Sequence, residues 1–121
     1  MGLFTQMLSP FVADKFIYVV YDTVQDVAFD KIPVMTICDE KGNILCYRAE
    51  RAYKVAANVS THFFEQQYLN MALPLEKGTV RYITDRQVAE QVVHKLYATK
   101  IQDAIDRITA FKVVLRQIVG P

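Results

Sequence analysis

Two apolar runs, Val34-Met-Thr-Ile-Cys38 and Asn43-Ile-Leu-Cys-Tyr47, flank the polar stretch Asp39-Glu-Lys-Gly42. The flanks favour strands and the glycine supplies the positive φ of a tight turn, so the segment predicts a β-hairpin. Breakers are otherwise scarce. Four glycines and four prolines in 121 residues leave few places where an element can stop. The length fits one domain spanning residues 1–121.

Around the hairpin the chain reads as a mixed α/β domain. Residues 1–11 put Leu3, Phe4, Met7, Leu8 and Phe11 on one amphipathic helical stripe, which Pro10 should end near Leu8 or Ser9. Phe16–Tyr21 reads as a buried strand, Asp22–Asp26 as a polar connector and Val27–Phe29 as a second short strand. Residues Ala49–Ala57 are helix formers and predict a short helix, whereas Asn58–Gln67 has no clean period. Asn70–Leu75 is extended up to its proline, and Thr79–Ile83 reads as a strand. Thr84 and Gln87 form a capping box for a long helix with Val88, Val92, Val93 and Leu96 on its apolar face. Ile101, Ala104, Ile105 and Ile108 keep the helical period, so that helix runs on or restarts near Thr99. Phe111–Leu115 and Gln117–Val119, rich in β-branched residues, read as a final strand. The expected fold class is therefore α/β: a mixed sheet with one hairpin, one short helix and one long helix.

Composition and motifs exclude more than they indicate. Hydrophobic residues make up 52% and charged residues 22%, which rules out a disordered chain. A formal net charge of +1 lacks the basic excess of a phosphate-contacting nucleic-acid binder, so no nucleic acid is expected as a partner. Cys38 and Cys46 form no CxxC, and the turn between them does not place them opposite each other. His62 and His94 stand alone, and Asp85, Glu90 and Asp103 are dispersed along a helix as on a solvated face. There is no glycine-rich phosphate loop, no HExxH and no nucleophile–base order, so neither catalysis, nor a metal, nor a cofactor is expected. No apolar run reaches the length of a membrane span and no signal segment opens the chain, which predicts a cytoplasmic protein.

In segments, the chain resembles the N-terminal subdomain of the bacterial actin-like, rod-shape-determining MreB family. Ile32-Pro-Val-Met-Thr-Ile-Cys-Asp-Glu-Lys-Gly-Asn-Ile-Leu45 is similar to that family's strand–turn–strand, and Ala49–Ala56 to the short helix that comes next. Leu73-Pro-Leu-Glu-Lys-Gly-Thr-Val80 is similar to its Arg-Pro-hydrophobic-x-x-Gly-Val-Ile stretch, with the helix Asp85–Leu96 following. Phe111–Gly120 is similar to its strand ending in a Val-Gly or Ile-Gly pair, and Met1-Gly-Leu-Phe4 to the opening of some members. The resemblance covers most of the chain in order and implies part of an actin-like (ribonuclease H-like) domain.

The family's first phosphate loop, Asp-x-Gly-Thr-x-x-Thr, aligns with Val20-Tyr-Asp-Thr-Val-Gln-Asp26. Val20 stands where the metal-facing Asp belongs and Asp22 where the glycine belongs; Thr23 is retained and Gln25 lies within the loop. A carboxylate at that glycine would repel phosphate and its Cβ would obstruct backbone approach. The resemblance thus implies a relic without ATP hydrolysis, in an interaction or cytoskeleton-associated protein.

A small sensor or ligand-binding module of the profilin, roadblock or PAS kind is the alternative, which would set the hairpin in a five-stranded antiparallel sheet. The MreB-like reading instead requires Thr79–Ile83 and Phe111–Leu115 in one sheet. A homodimer or tight protein partner is expected, with Tyr97, Ile101, Ile105, Phe111, Val113 and Leu115 as interface. The stripe Leu3, Phe4, Met7, Leu8 and Phe11 is expected to pack on protein. Its alternative is weak contact with the inner face of the membrane: no Lys or Arg precedes Lys15, and Gln6 breaks a myristoylation motif.

Overall fold

The structure is a computed structural model that describes residues 3–120, with side chains from Gln6 onward. In order along the chain come α1 (Leu3–Leu8), β1 (Lys15–Thr23), β2 (Val27–Cys38), β3 (Ile44–Ala56), β4 (Val59–Glu65), β5 (Ala72–Leu75), β6 (Gly78–Ile83) and α2 (Arg86–Val119). A single 3₁₀ turn, Gln66–Tyr68, separates β4 from β5. The strands form one six-stranded sheet in the order β4-β3-β2-β1-β6-β5. Every neighbouring pair is antiparallel, which corrects the expected mixed sheet.

The expected short strand at Val27–Phe29 and the strand at Val34–Cys38 are one element, β2, paired along most of its length with β1. Pro33 fits within it because β3 pairs with β2 only from Val34 onward, so no ladder bond to β3 is lost at the proline. The hairpin forms as its turn residues dictate. The Asp39 carboxylate accepts from the N–H groups of Lys41 (2.8 Å) and Asn43 (2.9 Å), and Gly42 takes φ +85°. It lies in a sheet of six strands rather than five.

The short helix expected at Ala49–Ala57 is instead the second half of β3 and the turn after it. Its alanines and charged residues favour a helix by tenths of a kcal/mol each. Sheet pairing overrides this preference: Ala49 pairs with β2, Tyr53, Lys54 and Ala56 pair with β4, and Ala49 and Val55 are buried while Glu50 and Lys54 are exposed. Register shifts between Arg48 and Tyr53 bend β3 and help roll the sheet. The roll brings Phe64 of β4 against Tyr82 of β6, ring centroids 4.6 Å apart, and the Tyr82 hydroxyl donates to the Lys54 carbonyl at 2.8 Å. Ile17, Val19, Ile32, Val34, Phe64, Val80 and Tyr82 fill this concave face. Burial of each large side chain contributes about 1.5–3 kcal/mol.

The other face of β1, β2 and β6 carries Val20, Val27 and Ile83, which Ala89, Val92, Val93 and Leu96 of α2 cover. The capping box expected at Thr84 and Gln87 does not form: Asp85 is the N-cap and accepts from the Val88 N–H at 3.1 Å, while Thr84 bonds to Asn70. From there α2 runs unbroken for 34 residues, so the strand expected at Phe111–Val119 is helix. No glycine or proline intervenes between Asp85 and Gly120, and extending an existing helix adds one hydrogen bond per residue. Consequently Phe111–Leu115 does not join Thr79–Ile83 in the sheet.

Candidate interaction surface

Helix α2 is held to the sheet as far as Lys100. Beyond its apolar contacts, the Tyr97 hydroxyl donates to the Val27 carbonyl at 2.6 Å. Partial desolvation, then the nearby Asp26 carboxylate, raises the pKa of this phenol. One turn on, the Lys100 ammonium donates to Asp22 Oδ1 and to the Thr23 carbonyl, both at 2.6 Å. The two clasps fix α2 against the turn that joins β1 to β2.

Past Lys100 the helix leaves the sheet but its apolar stripe does not stop. Residues 101–119 are exposed except for half-buried Ala104. Ile101, Ile108 and Leu115 recur at intervals of seven, and Ala104, Phe111 and Ile118 follow each of them three residues later. These six positions, with Ile105 and Val119 on the flank, form an apolar stripe turned roughly 80° around the helix from Ala89, Val92, Val93 and Leu96, which face the sheet. Gln102, Asp103, Asp106, Thr109 and Gln117 occupy the opposite side, where Gln102 donates to Asp106 at 2.9 Å. Ile101 is 60% exposed, Phe111 63% and Ile118 75%. Ile108 and Leu115 between them are also exposed, so the stripe is a contiguous apolar face of the kind that marks an interaction site.

Of the interface expected from sequence, Ile101, Ile105, Phe111 and Leu115 share this stripe. Tyr97 gives its hydroxyl to its own sheet while its side chain stays 42% exposed, and Val113 points away from the stripe because a strand's alternation does not carry over to a helix. Ala104 and Ile108, which keep the helical period in the sequence, and Ile118 join the stripe, since the recurrence at seven runs through once 111–119 is helix as well. In the segment set against the phosphate loop, Val20 is buried beneath α2 and Asp22 is engaged by Lys100. Thr23 Oγ1 donates to the Asp26 carbonyl at 3.2 Å, and Gln25 is exposed in the turn. Gln25, Val24, Lys100, Asp103, Ala104 and Arg107 line an open groove of about 670 Å³ where the stripe emerges. Among the described residues, no group of three His, Cys, Asp or Glu side chains could hold a metal ion.

Comparison with protein-family models, with curated proteins and with solved structures finds no match. No helix among the described residues is long and apolar enough to cross a membrane.

The N-terminal stripe is only partly on view, since the side chains of Leu3 and Phe4 lie outside those described. Met7 and Phe11 are half-buried, and Leu8 is 68% exposed. Helix α1 is anchored by polar contacts. The Gln6 amide donates to the Cys38 carbonyl at 2.9 Å and accepts from the Cys38 N–H at 3.1 Å, as a neighbouring strand would. Arg48 donates to the carbonyls of Gln6 (3.2 Å) and Ser9 (2.7 Å), satisfying the end of the helix. Cys38 pairs with Ile44 and Cys46 with Ile37, so the two thiols are not opposite each other and are free.

Proposed function

We propose that this chain is a non-enzymatic protein-interaction module, in which the rolled sheet is the base and residues 101–119 of α2 are the binding element. One observation carries the reading: an exposed apolar helical stripe that runs on past the last residue clasped by the sheet. A helix in water gains little from such a stripe, and helices of this length owe most of their stability to packing an amphipathic face. A second helix laid along 101–119 would supply that packing. The MreB-type resemblance adds a filament-associated partner as one specific candidate. Its support is confined to the sequence segments, because Phe111–Leu115 is helical.

The test is site-specific photocrosslinking in cells expressing the full chain, with the reactive residue at Phe111 or at Asp106. The reading expects a protein adduct from position 111 and none from position 106, on the opposite side of the same turns. No adduct at either position, or equal adducts at both, refutes it.

A further inference from the structure

A binding element of this kind needs an occupant, and the identity of that occupant rests on the reading of α2 just given. We infer that it is a second copy of this chain, with the two 101–119 segments packed antiparallel about a two-fold axis passing between Thr109 and Ala110.

The side chains at the repeating positions select that arrangement. About this axis the apolar layers are Ile101 with Ile118 of the second copy, Ala104 with Leu115, and Ile108 with Phe111, each occurring twice by symmetry. The smallest seam residue thus faces a large one, and no layer sets Phe against Phe. A parallel pairing would instead stack Ala104 on Ala104, leaving a gap, and Phe111 on Phe111, crowding the next layer.

Charge selects the same way. Arg107 and Lys112 flank the seam at the two positions that face each other across a parallel pair, so that arrangement brings like charges together on both sides. In the antiparallel pair Arg107 faces Val114, and Lys112 faces Ile105, along which its aliphatic stem can lie. Antiparallel packing also sets the two helix dipoles head to tail.

The fold permits the pairing. Each sheet clasps α2 up to Lys100, and about the axis position 100 falls opposite Val119, where the other helix ends at Gly120. The two sheets therefore stand at opposite ends and do not collide. The arriving end of the second helix meets the groove beside Ala104, whose wall includes Val24, 90% exposed in the β1–β2 turn. Pairing takes the exposed side chains of Ile101, Ile108, Phe111, Leu115 and Ile118 out of water on both copies.

The experiment uses the full chain in a Cys38→Ser, Cys46→Ala background, with light scattering and mild oxidation of single-cysteine variants. Expected are a species of twice 13.9 kDa at concentrations well above micromolar, and its conversion to the single-chain mass by Phe111→Asp with the sheet still folded. Ala104→Cys and Leu115→Cys chains should form a mixed disulfide when combined. Neither should link to itself when oxidised separately, because position 104 of one copy would lie about 16 Å along the axis from position 104 of the other. Self-linking of Ala104→Cys chains overturns the antiparallel arrangement. A monomer that still yields an adduct with another protein from position 111 in cells overturns self-pairing while the interaction reading stands. A monomer with no adduct overturns both. Ile118→Asp provides the same mass readout if Phe111→Asp does not fold.

Discussion

Gly78 opens β6 with φ +152°, paired to Thr23 on one side and Leu75 on the other. A Cβ built on it would press into the Asp22 carbonyl, closer than real Cβ atoms come to oxygen, and lie 3.1 Å from the Asp22 carbonyl carbon and 3.2 Å from Thr23 Cα. Those atoms belong to the backbone of β1, which pairs with β2 on its far side, so the strand cannot step aside alone. Gly78→Ala therefore combines a backbone conformation costing about 1–3 kcal/mol with an overpacking cost of about 1–3 kcal/mol. The stiffer unfolded chain returns about 0.4–1 kcal/mol, leaving a net destabilisation of about 3 kcal/mol. For a domain of this size that is roughly 10 °C in Tm. Gly42→Ala is the control: φ is +85° there too, but the added Cβ meets nothing within 4 Å, so only about 1 kcal/mol should be lost. Urea unfolding followed by circular dichroism measures both. Equal losses for the two variants, or a loss below about 1 kcal/mol at Gly78, would refute the close-contact argument. Because Asp22 and Thr23 also hold Lys100, Gly78→Ala should increase amide exchange near residue 100 as well.

Phe64→Ala opens a cavity where the rolled sheet meets itself and should cost about 3–5 kcal/mol in denaturant unfolding. Lys100→Met keeps most of the aliphatic stem but leaves Asp22 without its cation; with both side chains about a quarter exposed, a loss of about 1–2 kcal/mol is expected by the same assay. Asp39 has a pKa lowered by the Asn43 side-chain hydrogen bond and then by backbone N–H groups of the turn. A depressed folded-state value stabilises above the unfolded pKa and is lost as pH falls through the folded one, so the stability gap between wild type and Asp39→Ala should be constant near neutrality and shrink below about pH 4. A gap that widens on acidification would contradict this. Tyr82, whose pKa is raised mainly by burial, should stay un-ionised in alkaline spectrophotometric titration until the fold is lost.

Elements whose local chemistry and neighbours agree were legible in the residues alone. The Asp39–Asn43 turn, β1, the end of α1 before Pro10 and the start of α2 within one residue all follow from side chains acting on their own backbone. Neighbours far away in sequence decided the rest. Ala49–Ala56 has helical propensity, yet pairing with β2 at Ala49 and with β4 from Tyr53 makes it strand, because ladder bonds and buried Ala49 and Val55 outweigh tenths of a kcal/mol per residue. Phe111–Val119 has strand composition, yet it is helix because α2 reaches it without a breaker and no sheet edge lies beside it. The spacing of Ile101, Ile108 and Leu115 was always in the sequence, but its exposure was not. Burial depends on where the sheet ends relative to the helix, and that is set by the clasp of Lys100 on Asp22 and Thr23, groups more than seventy residues away along the chain.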